Sequence, residues 1–448
     1  MIRKPPKEPL IAIIGATGTG KSQLAVSLAK RYNGEIINGD AMQLYAGLPV
    51  ITNKITAEEQ EGVPHHLLGC IGLQEQTWVV GTFVKRALKI IEVIRERGRL
   101  PILVGGTHYY TQSLLFHDRL AEREGSHADS GDQEDERAQW PILDQPTEVL
   151  LEELKKVDPA MAERWHPKDR RKIQRSLEIY LKTGKRASEV YAEQRLRKAT
   201  AAKGDVADED GVMLDGPGMR FPTLIFWVHA EANALRARLD GRVDKMLQAG
   251  LLDEVRTLSS HAHAEAAAGR PVDETRGIWV SIGYKEFKTY IHARESGDVS
   301  GKDLEKLQAE ALERTQGATR QYAKRQVRWI RIKLALALSE AGASEHLYLF
   351  DGSDSSAFES SLVERAAELT KSFLEASPMP RPEDMTPLAK EMLTAKREYD
   401  VSAQPEKWAK QYCDVCDVTC VVEEQWQQHV KSRAHSKLSS KRRQHLRN

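Results

Sequence analysis

The stretch IAIIGATGTGKSQLAVSLAK, residues 11–30, decides the fold. It begins with β-branched apolar residues, passes through a glycine-rich turn and ends with the apolar spacing of an amphipathic helix. Gly15, Gly20, Lys21 and Ser22 fit the phosphate-loop pattern G-x4-G-K-[ST], placed between a strand and a helix as its mechanism requires. Such a loop directs backbone N–H groups at phosphate oxygens, while the lysine adds a charge and the serine can hold Mg²⁺. We predict that a diphosphate is bound by Gly15, Ala16, Thr17, Gly18, Thr19, Gly20, Lys21 and Ser22.

The next strand that could face this loop lacks the acid of a nucleotide hydrolase. In RLPILVGGTHYY, residues 99–110, the apolar run ends in two glycines and Thr107. ATP-splitting enzymes of this class hold Mg²⁺ with an acid at that place, so a motor or switch NTPase is disfavoured, and a kinase less strongly. The strand EIINGD, residues 35–40, does end in Asp40, at the sheet edge where ligands bind in open α/β folds. From position alone, a turn-forming or helix-capping aspartate explains Asp40 equally well.

The order of patterns along the chain predicts an α/β fold. Short apolar runs alternate with helical patterns over 10–116, as in a parallel sheet with helices on both faces, and the sheet resumes at TLIFWVHA, residues 223–230, and ends at EHLYLF. We predict a P-loop NTPase-like parallel sheet with a helical insertion and a C-terminal two-Cys two-His zinc finger. The expected boundaries are 1–142 for the first part of the core with a disordered acidic loop at 118–140, 143–200 for the helical insertion, 201–375 for the second part of the core with a loop at 201–219, 376–405 for a linker, and 406–448 for the finger and basic tail.

Composition narrows the class of protein. The 448 residues carry 66 lysines and arginines against 65 acids, but basic residues cluster in 164–186, in 314–333 and from Lys431 onward, which favours a polyanionic partner larger than a nucleotide. Only four cysteines occur, and no apolar run is long enough to cross a membrane, so neither a disulfide-stapled secreted protein nor a membrane protein is expected. The N-terminus shows no secretory signal and makes only a weak case for mitochondrial import.

The tail YCDVCDVTCVVEEQWQQHVKSRAHSKL, residues 412–438, has the spacing C-x2-C-x12-H-x5-H. It predicts a structural Zn²⁺ held by Cys413, Cys416, His429 and His435, with two thiolates on a turn and two imidazoles on one helix. Cys420 falls outside the pattern and is expected to pack. The basic flank suits nucleic acid, although such fingers also bind protein.

Eight motifs in order resemble one family. They are GATGTGKS, INGDAMQLYAGLPVITNKIT, HHLLG, PILVGGTHYYTQSLL, DPAMAERWHPKDRRKIQRSLEIYLKTGK, RVDKMLQAGLLDEV, SIGYKEF and TRQYAKRQVRWIR. Together they resemble the tRNA dimethylallyltransferases, also called tRNA isopentenyltransferases, over about 10–116, 143–190 and 222–335. The finger pattern is similar to that of the eukaryotic members.

The resemblance implies a prenyl transfer. These enzymes move a dimethylallyl group from dimethylallyl diphosphate to the exocyclic N6 amine of the adenosine 3′-adjacent to the anticodon, releasing pyrophosphate. A diphosphate must then be held but not hydrolysed, which explains a phosphate loop without water-activating machinery. Asp40 matches the family's base and Arg242 its arginine near the diphosphate, with Thr17, Lys21 and a Mg²⁺ on Ser22 at the leaving group. Without the resemblance, Arg242 is better explained as part of a solvated helix face.

The resemblance also implies where tRNA binds. The matching residues are Asp40, Ala41, Met42, Gln43, Thr107, Arg171, Lys172, Ile173, Gln174, Arg175, Arg320, Lys324 and Arg328. Alone, Thr107 would be a helix cap, and a basic stripe at helical spacing is usually a solvated face. No acid occurs from Arg314 to Lys333, which favours RNA there. His65 and His66 lie in a family motif, but we assign them no chemistry.

We therefore expect a cytoplasmic monomer that uses dimethylallyl diphosphate, the tRNA anticodon stem-loop, Mg²⁺ and structural Zn²⁺, with mitochondrial and nuclear pools left open.

Two other functions are alternatives to prenyl transfer. A small-molecule kinase would bind ATP in the same loop, and calorimetry with ATP and dimethylallyl diphosphate distinguishes it. A non-enzymatic RNA-binding protein with a relic phosphate loop would not transfer labelled prenyl to tRNA.

Overall fold

The computed structural model describes residues 4–117, 140–193, 218–297, 299–394 and 408–445. The chain forms two compact units, one of Met1–Arg119 with Pro217–Ala395 and one of Leu120–Gly216 with Lys396–Asn448. The predicted acidic loop, apart from its last residue, and residues 201–217 of the second predicted loop lie outside the described ranges. Within these ranges, no helix is both long and apolar enough to cross a membrane.

The described part of the first unit is built on six parallel strands, β1 Leu10–Gly15, β2 Gly34–Asn38, β3 His65–His66, β4 Leu100–Val104, β5 Thr223–His229 and β6 Leu347–Asp351. Their order in the sheet is β3-β2-β4-β1-β5-β6. Every residue of β1 and β4 is buried, because parallel strands covered on both faces are apolar along their whole length. The predicted parallel sheet is confirmed.

Helices pack on this sheet and place the phosphate loop. A small apolar cluster of Ala16, Ala230, Leu235, Leu239 and Ala323 joins the loop to two of them. Four short 3-10 turns, at Met42–Leu44, Gly277–Val280, Ser344–His346 and Pro382–Asp384, and two π-helical turns, at Ile330–Leu334 and Phe358–Val363, complete the described part of the unit. Its α-helices are Lys21–Arg31, Val80–Glu96, His108–Leu115, Ala232–Gln248, Leu251–Ala267, Tyr284–Ser296, Gly301–Trp329, Ala335–Glu340, Glu364–Leu374 and Pro387–Leu393.

The chain leaves the first unit and returns to it at one place. Arg220 N donates to Leu115 O at 2.7 Å, and Phe116 and Met219 form an antiparallel bridge. Because the two ends of the insertion are already joined by hydrogen bonds, the sheet accommodates the insertion without disturbance of its strands.

The predicted linker over 376–405 is folded wherever the structure describes it. Helix Pro387–Leu393 is capped by Thr386, whose hydroxyl accepts from Ala389 N at 3.0 Å. Ala389 and Met392 are buried, and the Tyr348 hydroxyl of β6 donates to Pro380 O at 2.6 Å. The Pro-rich composition that suggests a linker therefore serves here to start a short helix, and the first unit extends beyond residue 375.

The second unit combines the helical insertion with the finger. A core that includes Leu150, Leu154, Ile173 and Leu177 holds the insertion together. Its elements are the 3-10 turn Pro141–Asp144, the helices Thr147–Val157, Pro159–Arg164 and Arg170–Thr183, and helical backbone over 187–193. The finger consists of the antiparallel strands β7 Trp408–Cys413 and β8 Val418–Val422 and the helices Glu423–Val430 and Arg433–His445.

The finger hairpin contacts the insertion through an arginine between two indoles. The Arg164 guanidinium lies 4.5 Å from the ring centre of Trp165 and 4.5 Å from that of Trp408. Lys410 Nζ donates to Ala162 O at 3.1 Å, and an exposed ion pair of 3.2 Å joins Lys168 to Asp417. Cation–π contacts of this kind stabilise by about 0.5–1 kcal/mol each at exposed sites, more than a single exposed ion pair usually does.

Candidate active site

The phosphate loop connects β1 to helix Lys21–Arg31 at the carboxyl edge of the sheet. Gly15 has φ +147°, and a Cβ there would lie 2.2 Å from Val228 O of the neighbouring strand, so no larger residue fits. Lys21 Nζ donates to Ala16 O at 2.7 Å, and the Thr19 hydroxyl donates to the same carbonyl at 2.9 Å. The loop thus holds its own ammonium group over the turn, while Ser22 is exposed at the helix start.

Asp40 lies just beyond β2. It both forms a turn and faces the phosphate loop, so the two roles considered from the sequence do not exclude each other. Its Oδ1 accepts from Met42 N at 3.0 Å, and its own N–H donates to Asn38 Oδ1 at 2.9 Å, so it does form a turn. The carboxylate also faces the charges of Lys21 and Arg242. Burial raises the pKa of Asp40 above its ordinary value, against the opposing effects of the Met42 N–H and the two cations.

Arg242 is drawn into the site instead of lying on a solvated helix face. Its Nη1 donates to the Thr17 hydroxyl at 2.7 Å. Its Nε is buried and has no hydrogen-bond partner among the described residues, which leaves a donor for an anion. Burial lowers the pKa of Lys21 to about 8, with Asp40 opposing this change and Arg242 adding to it. The site therefore concentrates two cations and one carboxylate at the mouth of the phosphate loop.

Thr107 fixes the backbone next to Asp40. Its hydroxyl accepts from Ala41 N at 3.0 Å, and it makes no side-chain cap to the helix that follows it. Tyr322 is also close to Thr107, and its phenol pKa is raised by burial and by the charge of Asp40. The β2 and β4 ends are thus tied together around the carboxylate.

Sequence reasoning missed three side chains of this site. Gln326 is 4% exposed; its Oε1 accepts from Thr17 N at 2.8 Å, and its Nε2 donates to Gly106 O at 2.9 Å. Burial, with the charge of Lys21, lowers the pKa of His108 to about 3, so its imidazole is neutral. The third is Tyr322. The four-residue spacing of the buried face of helix Gly301–Trp329 could have indicated Tyr322 and Gln326. The prediction from the sequence instead considered only the basic residues on the other face of this helix.

His66 has a structural partner that the sequence did not indicate. Its Nε2 lies 2.5 Å from Glu35 Oε2. Glu35 is fully buried at the start of β2 and also contacts Arg97 at 3.2 Å and Arg99 at 3.1 Å. His65 Nδ1 lies 2.8 Å from Val63 O. Burial opposes ionisation of Glu35, but the hydrogen bonds from His66 and Arg97 outweigh it and hold the pKa of Glu35 below its ordinary value.

The four predicted zinc ligands come together in the second unit. The ligand atoms of Cys413, Cys416, His429 and His435 all lie within 4.8 Å of one another. His429 Nε2 is buried with no protein partner among the described residues, and the Ser439 hydroxyl is 3.2 Å from His435 Nε2, which leaves Nδ1 for a metal. Two thiolates and two imidazoles fit Zn²⁺.

The prediction that both histidines share one helix is wrong. His429 belongs to helix Glu423–Val430 and His435 to helix Arg433–His445. The physical reason is the six-residue separation, which in one α-helix would point the two side chains about 120° apart around the helix axis. The break at Lys431 and Ser432 lets both imidazoles face one ion.

Comparison with known proteins decides the family. The sequence pattern of the IPP transferase family matches residues 43–333, more than half of the chain. The chain belongs to this family.

The chain is also similar in sequence to members of curated identity over most of their length. The chain is 43% identical over 345 residues to a tRNA dimethylallyltransferase of Schizosaccharomyces pombe, covering 77% of this chain and 73% of the relative. It is 34% identical to that of Saccharomyces cerevisiae, covering 95% and 91%. A solved structure of a eukaryotic dimethylallyltransferase acting on tRNA matches 98% of both chains at 31% identity with a TM-score of 0.74. Residues 412–436 match a zinc-finger double-stranded RNA-binding pattern.

The residues of the first unit that are predicted to bind RNA differ in their surroundings. Ala41 and Met42 follow Asp40 directly, and Gln43 Nε2 donates to Asn53 O at 2.9 Å. On helix Gly301–Trp329, Lys324 and Arg328 are exposed. Arg320 instead forms a close ion pair with Asp240 of the neighbouring helix, so it also holds the two helices together.

The predicted RNA-binding residues of the insertion all lie on helix Arg170–Thr183. Arg171 and Lys172 are exposed, and Lys172 pairs with Asp169 at 2.8 Å. Arg175 pairs with Glu178 at 3.2 Å, and Gln174 is half-buried. Ile173 is fully buried in the core of the insertion, where its side chain packs between helices.

Proposed function

We propose that this chain transfers the dimethylallyl group from dimethylallyl diphosphate to N6 of the adenosine 3′-adjacent to the anticodon of tRNA, releasing pyrophosphate. Membership of the IPP transferase family supports the reaction class. The observation that carries the proposal is the meeting of Asp40, Lys21 and Arg242 at one phosphate loop. The relatives named above as tRNA dimethylallyltransferases support the same substrates.

Binding of the donor follows from the charges at the loop. The diphosphate would lie against the loop N–H groups, the Lys21 ammonium and the unpartnered Nε of Arg242. Mg²⁺ prefers oxygen ligands and keeps several waters, so the exposed Ser22 hydroxyl and the diphosphate oxygens suit it. When bound, Mg²⁺ would neutralise part of the charge on the leaving group.

The transfer step needs a proton acceptor and a stabilised leaving group. As N6 of the adenosine forms a bond to C1 of the prenyl group, the C1–O bond breaks and its electron pair leaves with pyrophosphate. The proton of N6 passes to the Asp40 carboxylate, whose raised pKa makes it a better acceptor than an exposed aspartate. Lys21 and Arg242 stabilise the charge that grows on pyrophosphate.

We propose further that the tRNA is held through its anticodon stem-loop. The exposed Lys324 and Arg328 of the first unit, and Arg171 and Lys172 of the second, suit phosphate contacts, which position an RNA without reading its sequence. The finger would add such contacts, in keeping with the double-stranded RNA-binding pattern that it matches. The monomeric state and the cytoplasmic location stay predictions from the sequence.

Transfer of labelled prenyl to tRNA tests the function directly. Purified chain, Mg²⁺, labelled dimethylallyl diphosphate and an anticodon stem-loop with adenosine at the target position should give labelled RNA, and a stem-loop with guanosine there should give none. ATP titrated by calorimetry should bind more weakly than dimethylallyl diphosphate. Phosphoryl transfer from ATP without prenyl transfer would favour the kinase, and RNA binding without either reaction would favour the relic phosphate loop.

A further inference from the structure

The buried amide of Gln326 joins the two backbone segments that carry the reacting groups. We infer that Gln326 is a positioning residue, which holds the Thr17 and Gly106 peptides so that Arg242 and Asp40 keep the geometry of transfer. This inference rests on the function proposed above. Gln326 is 4% exposed and reaches the site from helix Gly301–Trp329, on which the exposed Lys324 and Arg328 also lie.

One end of the amide fixes the arginine. Gln326 Oε1 accepts from Thr17 N at 2.8 Å, and the hydroxyl of the same threonine accepts from Arg242 Nη1 at 2.7 Å. The Thr17 N–H is therefore committed to the glutamine. Because the Thr17 backbone is held in this way, its hydroxyl stays in line with the guanidinium.

The other end fixes the carboxylate. Gln326 Nε2 donates to Gly106 O at 2.9 Å, and Gly106 offers its N–H to Asp40. The approach is close, since a Cβ on Gly106 would lie 2.5 Å from Gln326 Nε2 and 2.9 Å from Asp40 Oδ2. Gly106 thus lies between the two side chains, and this explains why the second residue after β4 is a glycine.

Only an amide satisfies both contacts at once. Its oxygen must face the Thr17 N–H and its nitrogen the Gly106 carbonyl, whereas a carboxylate would place a second oxygen against that carbonyl. A thioether of similar length would leave both peptide groups without this partner. The helix itself is held by Ala323 and the partly buried Val327 in the apolar cluster beside the loop, so the backbone of Gln326 is supported independently of its amide.

Gln326→Met tests the inference, with Gln321→Met as the matched control on the exposed face of the same helix. We expect Gln326→Met to lower kcat by about 10- to 100-fold, because small displacements of reacting groups have large effects on rate. The KM for tRNA should change little. Gln321→Met should match the parent.

The pH profile of kcat separates positioning from a general loss of structure. The charged and titratable groups around Asp40 are Lys21, Arg242 and Tyr322, and the Gly106 N–H favours its ionised form. Loss of the Gln326 contact should loosen that N–H, and the acid limb of the profile should move to higher pH. Gln326→Glu should move it further, since it adds a negative charge nearby.

Four outcomes are decisive, with folding checked by circular dichroism and thermal melting. A lowered kcat with a shifted acid limb in folded Gln326→Met supports the inference. A parent-like kcat and pH profile in folded Gln326→Met overturns it, and so does a loss confined to KM. If the parent chain itself transfers no prenyl group, the proposed function fails instead, and the two failures are thereby distinguished.

Discussion

Arg242 Nη1 donates a hydrogen bond of 2.7 Å to the hydroxyl of Thr17, a residue 225 positions earlier in the chain. The bond joins helix Ala232–Gln248 to the turn of the phosphate loop. It keeps the guanidinium beside Asp40 and Lys21, and the charge of Arg242 acts to lower the pKa of both groups. The cation is therefore positioned by the loop that it serves.

Arg242→Lys should lower kcat/KM for prenyl transfer by about 10²-fold, because an ammonium cannot reproduce the fork of a guanidinium that spans Thr17 and an anion. Thr17→Val should show a smaller loss and Thr17→Ser almost none. Arg236→Lys, on the exposed face of the same helix, is the control. Steady-state rates with varied dimethylallyl diphosphate measure the effect, and equal rates for Arg242→Lys and the control would contradict it.

Asp40→Asn should lower prenyl transfer by at least about 10²-fold, because an amide cannot accept the proton of N6. The fold and the binding of both substrates should persist, since the asparagine oxygen can still accept from Met42 N. Single-turnover transfer and calorimetric binding measure the two properties separately. Near-normal turnover would reduce Asp40 to the turn-forming residue that its backbone contacts also allow.

The binding of dimethylallyl diphosphate should weaken as the pH rises past about 8. Burial lowers the pKa of Lys21 to about 8, so the free enzyme loses this charge above that value. Below it, the ammonium is present and attracts the diphosphate. The KM for the donor should therefore rise between pH 7 and 9, and Lys21→Ala should have a higher KM and a slower rate with no such rise. A parent KM that is flat over this range would be inconsistent with a Lys21 contact to the donor.

The phosphate loop, Asp40 and the zinc ligands could be predicted from the sequence, because each belongs to a pattern of short, local spacing. The contacts of Gln326 and Glu35 could not be read in this way, since both partners of Gln326 lie more than 200 positions away and Glu35 looks like any acid at a strand start. The prediction of a linker from residue 376 differs from the structure for a related reason. Proline-rich composition is typical both of a linker and of the first turn of a helix, and only the burial of Ala389 and Met392 distinguishes the two.

Glu35→Gln should lower the free energy of unfolding by about 1–3 kcal/mol at neutral pH, toward the lower end because Arg97 and Arg99 are 53% and 38% exposed. The pKa of Glu35 is lowered in the folded chain, so its contribution is present above the unfolded-state pKa and is lost as pH falls through the folded value. Denaturant unfolding at several pH values measures both effects. A parent and variant that differ equally at pH 3 and pH 7 would speak against this assignment.

Truncation after Thr394 should leave prenyl transfer intact and raise the KM for tRNA. The cut must follow helix Pro387–Leu393, because Ala389 and Met392 are buried in the first unit. Loss of phosphate contacts should also make tRNA binding less dependent on salt. Cys416→Ser, which removes one zinc ligand without shortening the chain, is the companion variant. Unchanged tRNA affinity across a salt series would point to a protein partner for the finger.

The arginine between Trp165 and Trp408 has a thermodynamic consequence. A metal that binds only the folded finger stabilises it by a free energy that grows with the logarithm of the metal concentration. Because Arg164 belongs to the insertion and contacts the finger hairpin, part of that stabilisation passes to helices whose residues lie far from the ligands in the chain. The folding of the insertion is thereby linked to the supply of zinc in its surroundings.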